Sequence, residues 1–242
     1  EGNRNEFKGK ASVSLLSAQT TLEGPLYKGA WVLSGRRTYF DLVLPLVLPE
    51  NIAENIPPYY FYDIQGHIFT DVTPKDRLSL SYYSGIDDII FDTFGLDGRW
   101  GNNTFSTHYR RVFSERLVGN FLIANSKFFT RFGLGGSYGL VSDNSIDDQT
   151  LSGDFSWFRT SESTIKFGVQ FKTLGFEYIN TFQEDTTFQI NTVPFELGTY
   201  IKTKYEYNSR FIFEPGVRLN FYSVFSDSLY PDIRLGLKYI LT

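Results

Sequence analysis

The stretch Thr164–Phe171 alternates strictly between large apolar residues and polar or very small ones, beginning with Ile165 and Lys166. Successive side chains of a β-strand point to opposite faces, so this stretch predicts a strand with one apolar and one polar face. The same pattern recurs in segment after segment up to the C-terminus. Two environments that alternate this regularly are typical of a transmembrane β-barrel wall, with lipid outside and a polar lumen inside.

The alternation and the turn residues between the segments predict about twelve strands. Short turns alternate with longer connections at 45–58, 86–103 and 183–192, and in outer-membrane barrels the short turns face the periplasm. The glycine-rich piece 132–140 fits either a strand or a loop. A soluble or lipocalin-like barrel is the alternative, but strands of soluble proteins average about 5–6 residues. With a tight reversal at 17–18, the predicted strands are 8–16, 19–23, 30–42, 60–72, 78–85, 104–113, 117–128, 150–158, 164–182, 194–207, 210–224 and 232–241.

The composition agrees with strands in a membrane and excludes several other classes. Aromatic residues make up 18% of the chain, with 24 Phe and 16 Tyr, which suits strands flanked by aromatic girdles. No run approaches the ~20 apolar residues that a membrane helix needs. The absence of Cys excludes disulfides, thiol catalysis and Cys-bound zinc. A net charge of −4 argues against general nucleic-acid binding.

Several stretches resemble the barrel of TonB-dependent outer-membrane receptors. They are WVLSGRRTY at 31–39, PYYFYD at 58–63, KDRLSLSYY at 75–83 and IKFGV at 165–169. The start, Glu1-Gly2-Asn3, resembles the junction between the plug domain and the first barrel strand of such receptors. DIRLGLKY at 232–239 resembles one of their mid-barrel strands, so the resemblance covers essentially the whole chain.

The resemblance implies an all-β fold, an antiparallel up-and-down transmembrane β-barrel wall that is partial and open. Receptor barrels of this kind have about twenty-two strands, and this sequence supplies about half of them, without the plug or a TonB box. We therefore expect residues 1–7 to be a linker from a missing plug and residues 8–242 to be the N-terminal half of the barrel. The first and last strands of the chain should then not pair with each other.

The same resemblance implies active transport in the outer membrane of a Gram-negative bacterium, not catalysis. The nutrient would be an iron chelate, cobalamin or an oligosaccharide, with no cofactor required. Expected partners are the lipid bilayer, the receptor's own plug domain, the TonB complex acting through the plug, and a small nutrient ligand at the extracellular loops; nucleic acid is not among them. The alternatives are a complete twelve-strand passive pore and, less favoured, an outer-membrane hydrolase.

Charged residues on the polar sides of the strands are the candidate functional residues. A charge facing lipid near the bilayer centre costs about 2–4 kcal/mol, so these side chains must face water or a plug. Trp31, Phe113, Trp157, Tyr207 and Tyr239 lie close to short turns and are expected to form a periplasmic girdle. The predicted lumen-facing and plug-facing residues are Arg36, Asp63, His67, Arg110, Asp154, Lys166, Lys172, Glu196, Lys202, Lys204, Glu214 and Arg218.

Catalytic and metal chemistry finds little support in the sequence. The two histidines, His67 and His108, lie mid-strand, whereas a hydrolase needs a Ser/His or Asp/His arrangement near the outer rim. The acidic stretch 86–103, with Asp87, Asp88, Asp92 and Asp97, could bind Ca²⁺, but its spacing does not match an EF-hand loop. The glycines at 133–136 lack the strand-to-helix context and the lysine of a phosphate loop.

Overall fold

The computed structural model describes residues 2–49, 52, 58–91, 95–135, 139–208, 210–224 and 229–240. These residues form thirteen strands and one short helix. The strands are β1 Lys8–Val13, β2 Ser17–Leu26, β3 Gly29–Thr38, β4 Tyr59–Thr73, β5 Asp76–Phe91, β6 Leu96–Ser114, β7 Leu117–Leu134, β8 Leu140–Phe158, β9 Ser163–Phe182, β10 Asp185–Thr192, β11 Phe195–Tyr207, β12 Phe211–Tyr222 and β13 Leu229–Tyr239. Helix α1 is Phe40–Val47 and lies between β3 and β4.

All the strands belong to one antiparallel sheet in which neighbours along the chain are neighbours in space. The order is β1 to β9 followed by β11, β12 and β13, and β10 folds back onto β9 outside this path. Within the described residues β1 pairs only with β2 and β13 only with β12, so the sheet is open. This confirms the predicted partial barrel wall of about twelve strands.

Strands β5 to β8 are longer than the sequence predicted, whereas β9 has the predicted bounds to within one residue. β5 continues to Phe91 and β6 begins at Leu96, so the predicted loop 86–103 is wrong. The polar connection 183–192 is largely strand β10, and that prediction is also wrong. In the undecided piece 132–140, β7 ends at Leu134 and β8 begins at Leu140, while 136–138 lie outside the described residues. Backbone pairing thus continues beyond the segments in which apolar and polar residues alternate as expected for a lipid-facing wall.

The predicted third strand is also too long at its end, because β3 stops at Thr38 and helix α1 follows. The run Phe40–Val47 is apolar at even and odd positions alike, so it lacks the alternation of a two-faced strand. Residues 225–228, between the predicted strands 210–224 and 232–241, lie outside the described residues. The structure has no helix, in the residues it describes, that is both long enough and apolar enough to cross a membrane.

The faces of the sheet follow from the register, because residues directly opposite on neighbouring strands share a face. The polar face carries Lys166, which lies opposite Ser156 on β8 and Lys202 on β11. The apolar face carries Phe167, which lies opposite Phe155 and Ile201. With a single layer there is almost no core. The buried apolar residues among those described are Ala30, Phe69 and Ile212.

The two ends of the sheet differ. At the turn end, short turns join β2 to β3, β4 to β5, β6 to β7, β8 to β9 and β11 to β12. At the opposite, extended end, the long strands β5 to β9 reach past their neighbours. Strand β9 has 20 residues, about twice the 9–11 that cross a membrane. The extended end is therefore expected to project beyond a bilayer that contains the turn end.

Candidate functional site

The register places all twelve predicted functional residues on the polar face. Asp154 lies opposite Gly168, which is two residues from Lys166 on β9, and Lys202 lies opposite Lys166 on β11. Arg36 lies opposite Asp63 on the far side of the same face. Because alternate side chains of a strand point to the same face, the even or odd position of a residue in its strand is enough to assign its face. Whether this face lines a lumen and meets a plug stays a prediction.

Arg36 on β3 and Asp63 on β4 form a close ion pair on the polar face. The Nη2 atom of Arg36 lies 2.7 Å from Oδ2 of Asp63, and its Nε also donates to that oxygen at 2.8 Å. The guanidinium carbon lies 4.7 Å from the ring centre of Phe61, which adds a cation–π contact. The side chain of Asp63 is only 14% exposed, so the pair is partly shielded from water.

Arg218 is the centre of a second polar network, on β12. Its Nη2 donates to Oε1 of Gln170 at 2.9 Å and to Oε1 of Glu196 at 3.4 Å, and its Nε donates to Oδ1 of Asn220 at 2.6 Å. The guanidinium reaches across β11 because Gly198 has no side chain. A Cβ at that position would lie 2.6 Å from Nη2 of Arg218.

Asp154 and Lys172 are also engaged. The hydroxyl of Tyr200 donates to Oδ1 of Asp154 at 2.6 Å, passing over Gly168 on the strand between them. The ammonium of Lys172 lies 2.6 Å from Oδ2 of Asp148. Asp154 and Asp148 therefore each have a polar partner on this face.

Lys166 and Lys202 are different, because two cations lie directly opposite each other on neighbouring strands. Neither forms an ion pair with any residue that the structure describes. Lys204 lies 3.7 Å from Glu206 on its own strand. Beside Lys202 is a cavity of 470 Å³ that opens on the polar face; Glu214 and Arg218 are among the residues that line it.

His67 and His108 do not form a catalytic arrangement. Nδ1 of His67 lies 2.8 Å from the hydroxyl of Ser81, and no carboxylate bonds to His67 within the described residues. His108 is exposed on β6. Both lie in the interior of long strands, away from the extended end. The geometry therefore provides a polar contact on the wall, not a nucleophile with an oriented base.

The acidic stretch around Asp87 is structural. Asp87 and Asp88 lie on opposite faces of β5; Asp87 accepts a hydrogen bond of 2.6 Å from the Tyr59 hydroxyl, and Asp88 faces Arg99 at 3.8 Å. Burial, and then the bond to Asp87, raise the pKa of Tyr59 to about 12. Asp97 lies on β6, and Asp92 is outside the described residues. The described residues contain no cluster of three metal-ligating side chains.

Residues 2–7 are packed against the sheet, a feature that the sequence did not reveal. Arg4 forms a 2.9 Å ion pair with Asp71, and its guanidinium carbon lies 4.7 Å from the ring centre of Phe69. Arg77 covers the same ring at 4.8 Å and bonds Asp71 at 2.7 Å. Phe7 contacts Trp31, with ring centres 6.1 Å apart. The segment therefore covers the turn end of β3 to β5.

The polarity of the two faces is exchanged at the extended end. There the polar face becomes aromatic and apolar, and we call this region the aromatic patch: Trp100, Phe128, Phe132, Ile146, Phe176 and Tyr178. The rings of Trp100 and Phe132 stack at 6.1 Å. The opposite face becomes charged, with Lys127 and Glu177 among its residues. The sequence signals this exchange at the adjacent aromatics 128 and 129 and at Phe176-Glu177-Tyr178, where the apolar residues change from odd to even positions.

The five girdle candidates share the apolar face near the turn end. Trp157 lies opposite Ile165, and Phe113 contacts the ring of Phe155 at 6.0 Å. Trp31, Tyr207 and Tyr239 occupy the corresponding positions on β3, β11 and β13. This placement agrees with an interfacial belt, although their contact with a membrane stays a prediction.

Comparison with known proteins gives the fold. No protein-family model and no curated protein matches the sequence. Solved structures do match. They include the siderophore receptor PirA from Pseudomonas aeruginosa (TM-score 0.70, 15% identity, 97% of this chain and 39% of that one). They also include FpvAI in its complex with pyocin S2 (TM-score 0.78, 12% identity, 100% and 40%) and the copper transporter OprC (TM-score 0.65, 10% identity, 98% and 42%).

The chain therefore spans about two fifths of the length of these structures. At such low identities the similarity establishes the fold and leaves the substrate open. The fold is that of part of the barrel wall of TonB-dependent receptors, as the sequence resemblance predicted.

Proposed function

We propose that this chain is the first half of the barrel wall of a TonB-dependent receptor, which imports a scarce nutrient across the outer membrane of a Gram-negative bacterium. Residues 1–7 are the linker from the plug domain, and residues 8–242 are the N-terminal half of the barrel. The observation that carries the proposal is the two-faced, open sheet, whose twelve-strand path is matched over nearly its full length by receptor structures.

The two faces of the sheet have different roles because their side chains differ in polarity. The apolar face, including Phe167 and its neighbours, contacts lipid. The polar face lines the lumen and holds the plug through charges such as Arg36 and Asp63, because each charge turned to lipid near the bilayer centre would cost about 2–4 kcal/mol. The TonB complex acts on the plug, so the wall itself stays a fixed frame during transport.

The aromatic patch supports the assignment of the ligand side. It lies on the face that continues the lumen wall, at the extended end, where water and ligand have access. Exposed rings such as Phe132, which is 48% exposed, gain free energy by burying apolar area against a ligand. The nutrient bound there is an iron chelate, cobalamin or an oligosaccharide. The siderophores and copper named for the similar structures are ligands of those proteins.

The alternative functions fit the structure less well. A complete twelve-strand pore needs β1 hydrogen-bonded to β13, and within the described residues these strands are separate edges. A hydrolase needs an oriented base near the rim, and His67 has only the Ser81 hydroxyl as its partner. Import with energy from TonB is therefore the favoured function.

Uptake measurements test this proposal. Cells that lack the chromosomal gene and carry it on a plasmid are given labelled iron chelates, cobalamin and oligosaccharides, with TonB intact or deleted. We expect one class to be taken up only with both the gene and TonB. Uptake that persists without TonB would indicate a passive pore and would refute the proposal.

A matched pair of variants tests the ligand side. Trp100→Ala together with Phe132→Ala should weaken binding of the imported ligand at least about fivefold, since each aromatic contact is worth about 0.5–1.5 kcal/mol beyond the apolar area that it buries. Phe129→Ala, on the opposite face of the same strand, should leave binding unchanged. Equal losses in both variants would show that the patch does not bind the ligand.

A further inference from the structure

The turn end of the polar face carries positive charge that the sheet does not neutralise. Lys166 and Lys202 are directly opposite each other, an arrangement that destabilises a sheet when it stands alone. Neither lysine has a carboxylate within ion-pair distance among the described residues. Arg110 on β6 and Lys238 on β13 are on the same face and likewise form no ion pair within the part of the chain that the structure describes.

Three of the acidic residues on this face already have polar partners. Glu196 bonds Arg218, Asp154 accepts from Tyr200, and Asp148 is paired with Lys172. Glu214 is an acidic group close to the lysines without an ion pair in the described region, and it lines the cavity beside Lys202. One carboxylate does not balance this set of cations, so the face retains an excess of positive charge.

The cavity beside Lys202 has room for an inserted side chain. Its floor is Gly216 and Gly236, on neighbouring strands, and its volume is 470 Å³. A Cβ at Gly216 would lie 2.9 Å from Cβ of Lys202, so the missing side chain is what opens this floor. The rim adds Tyr200, Arg218 and Arg234.

The extent of the uncompensated charge indicates a large occupant. From Arg110 on β6 to Lys238 on β13 the path crosses six strand spacings, or about 29 Å along the sheet at ~4.8 Å each. A free anion or small chelate covers one or two strands. A polypeptide segment can cross all of them and place a carboxylate at Lys166 and Lys202.

We propose that an acidic segment of polypeptide docks on the turn end of the polar face, with a carboxylate side chain between Lys166 and Lys202 beside the cavity. The inference rests on the proposed function, in which this face encloses the plug. It adds where the docked segment makes contact and that its charge there is negative. Because the lysine pair would otherwise repel, its neutralisation stabilises the docked segment more than one isolated surface pair would.

Photocross-linking in the full-length protein, in native outer membranes, tests the contact. The photoreactive amino acid p-benzoylphenylalanine replaces Lys202 in one variant, Gln170 in a second and Ile201 in a third; Ile201 lies on the apolar face next to Lys202. Mass spectrometry then identifies what each position captures. We expect position 202 to capture a peptide with an excess of Asp and Glu, and position 201 to capture lipid.

The outcomes separate the two proposals. A neutral or basic peptide at position 202, or capture at Gln170 but not at 202, overturns the acidic contact and leaves the proposed function standing. No peptide at either polar-face position overturns both.

Charge variants measure the electrostatic part of the contact with position 170 as the reporter. Lys166→Glu with Lys202→Glu should lower the capture yield at least about fivefold at low salt, Lys166→Gln with Lys202→Gln less, and the double Arg variant hardly at all. A yield that the double Glu variant leaves unchanged overturns the proposal.

Discussion

Phe167→Lys is the substitution that separates the two faces most clearly. Phe167 lies in the middle of the apolar run of β9, opposite Phe155 and Ile201. Its ring stacks on that of Phe155, with centres 5.2 Å apart and planes at 14°. If this face contacts lipid, the new ammonium group is placed near the bilayer centre, where it has no aqueous or charged partner.

Two contributions set the size of the effect. A lysine on the lipid face of a transmembrane barrel costs about 2–4 kcal/mol near the midplane. Loss of the stacked aromatic pair removes about 0.5–1.5 kcal/mol more. Snorkelling of the long side chain offsets part of this sum, so we expect the free energy of unfolding to fall by about 3–5 kcal/mol.

The matched control is Ser152→Lys, which adds the same charge on the polar face of β8, opposite Gln170. A charge that faces water changes stability by less than about 1 kcal/mol. Both proteins, as the whole polypeptide, are unfolded from lipid vesicles with guanidinium chloride, and tryptophan fluorescence is followed. Equal losses for the two variants, or a larger loss for Ser152→Lys, would refute the assignment of the faces.

The remaining predictions concern the turn end and one residue at the extended end. Phe69→Ala should cost about 3–5 kcal/mol in the same unfolding assay, because this ring is 2% exposed beneath residues 2–7. Gly29→Ala should cost at least about 2 kcal/mol, since a Cβ there would lie 1.8 Å from the carbonyl oxygen of Phe69. Gly66→Ala is the control. Its Cβ would lie 3.6 Å from the nearest atom, Cδ1 of Leu33, so stability should change by less than about 0.5 kcal/mol. Tyr59 has its pKa raised to about 12, so its contribution to stability is complete below pH ~10 and is lost as the pH rises through about 12. The ultraviolet titration difference between wild type and Tyr59→Phe measures the pKa of this hydroxyl, and a midpoint near 10 would contradict its burial together with its bond to Asp87.

The feature of the sequence that predicted most was whether a residue occupies an even or an odd position in its strand. Alternation around Ile165 and Lys166 predicted the face of every candidate charge, because a period of two leaves only one choice per strand. It also predicted the twelve-strand path. The predicted strand bounds failed at the extended end, where the apolar residues Phe128 and Ile146 lie on the face that is polar elsewhere. Because a membrane strand is expected to keep one apolar face throughout, the reversal of polarity in β5 to β8 resembles the start of a loop in the sequence.

Contacts between strands could not be predicted, because they depend on register. Arg36 finds Asp63 on the next strand, 27 residues away, and Arg218 reaches Gln170 over an intervening strand. Irregularities between Asp71 and Thr73 and between Val112 and Ser114 shift the pairing near the turns. The packing of Arg4 on Phe69 likewise has no periodic signal.

Spin-label accessibility along β9 tests the central claim most directly. The 242 residues contain no Cys, so single Cys substitutions from Thr164 to Phe182, made in the whole polypeptide with any Cys outside these residues replaced, each give one labelled site in vesicles. Labels at 165, 167, 169 and 171 should be more accessible to oxygen, which partitions into lipid, and labels at 166, 170 and 172 should not. From 173 onwards the odd positions should instead become accessible to a polar nickel reagent. An oxygen profile without a period of two, or one in which the even positions are the lipid-exposed set, would contradict a two-faced barrel wall.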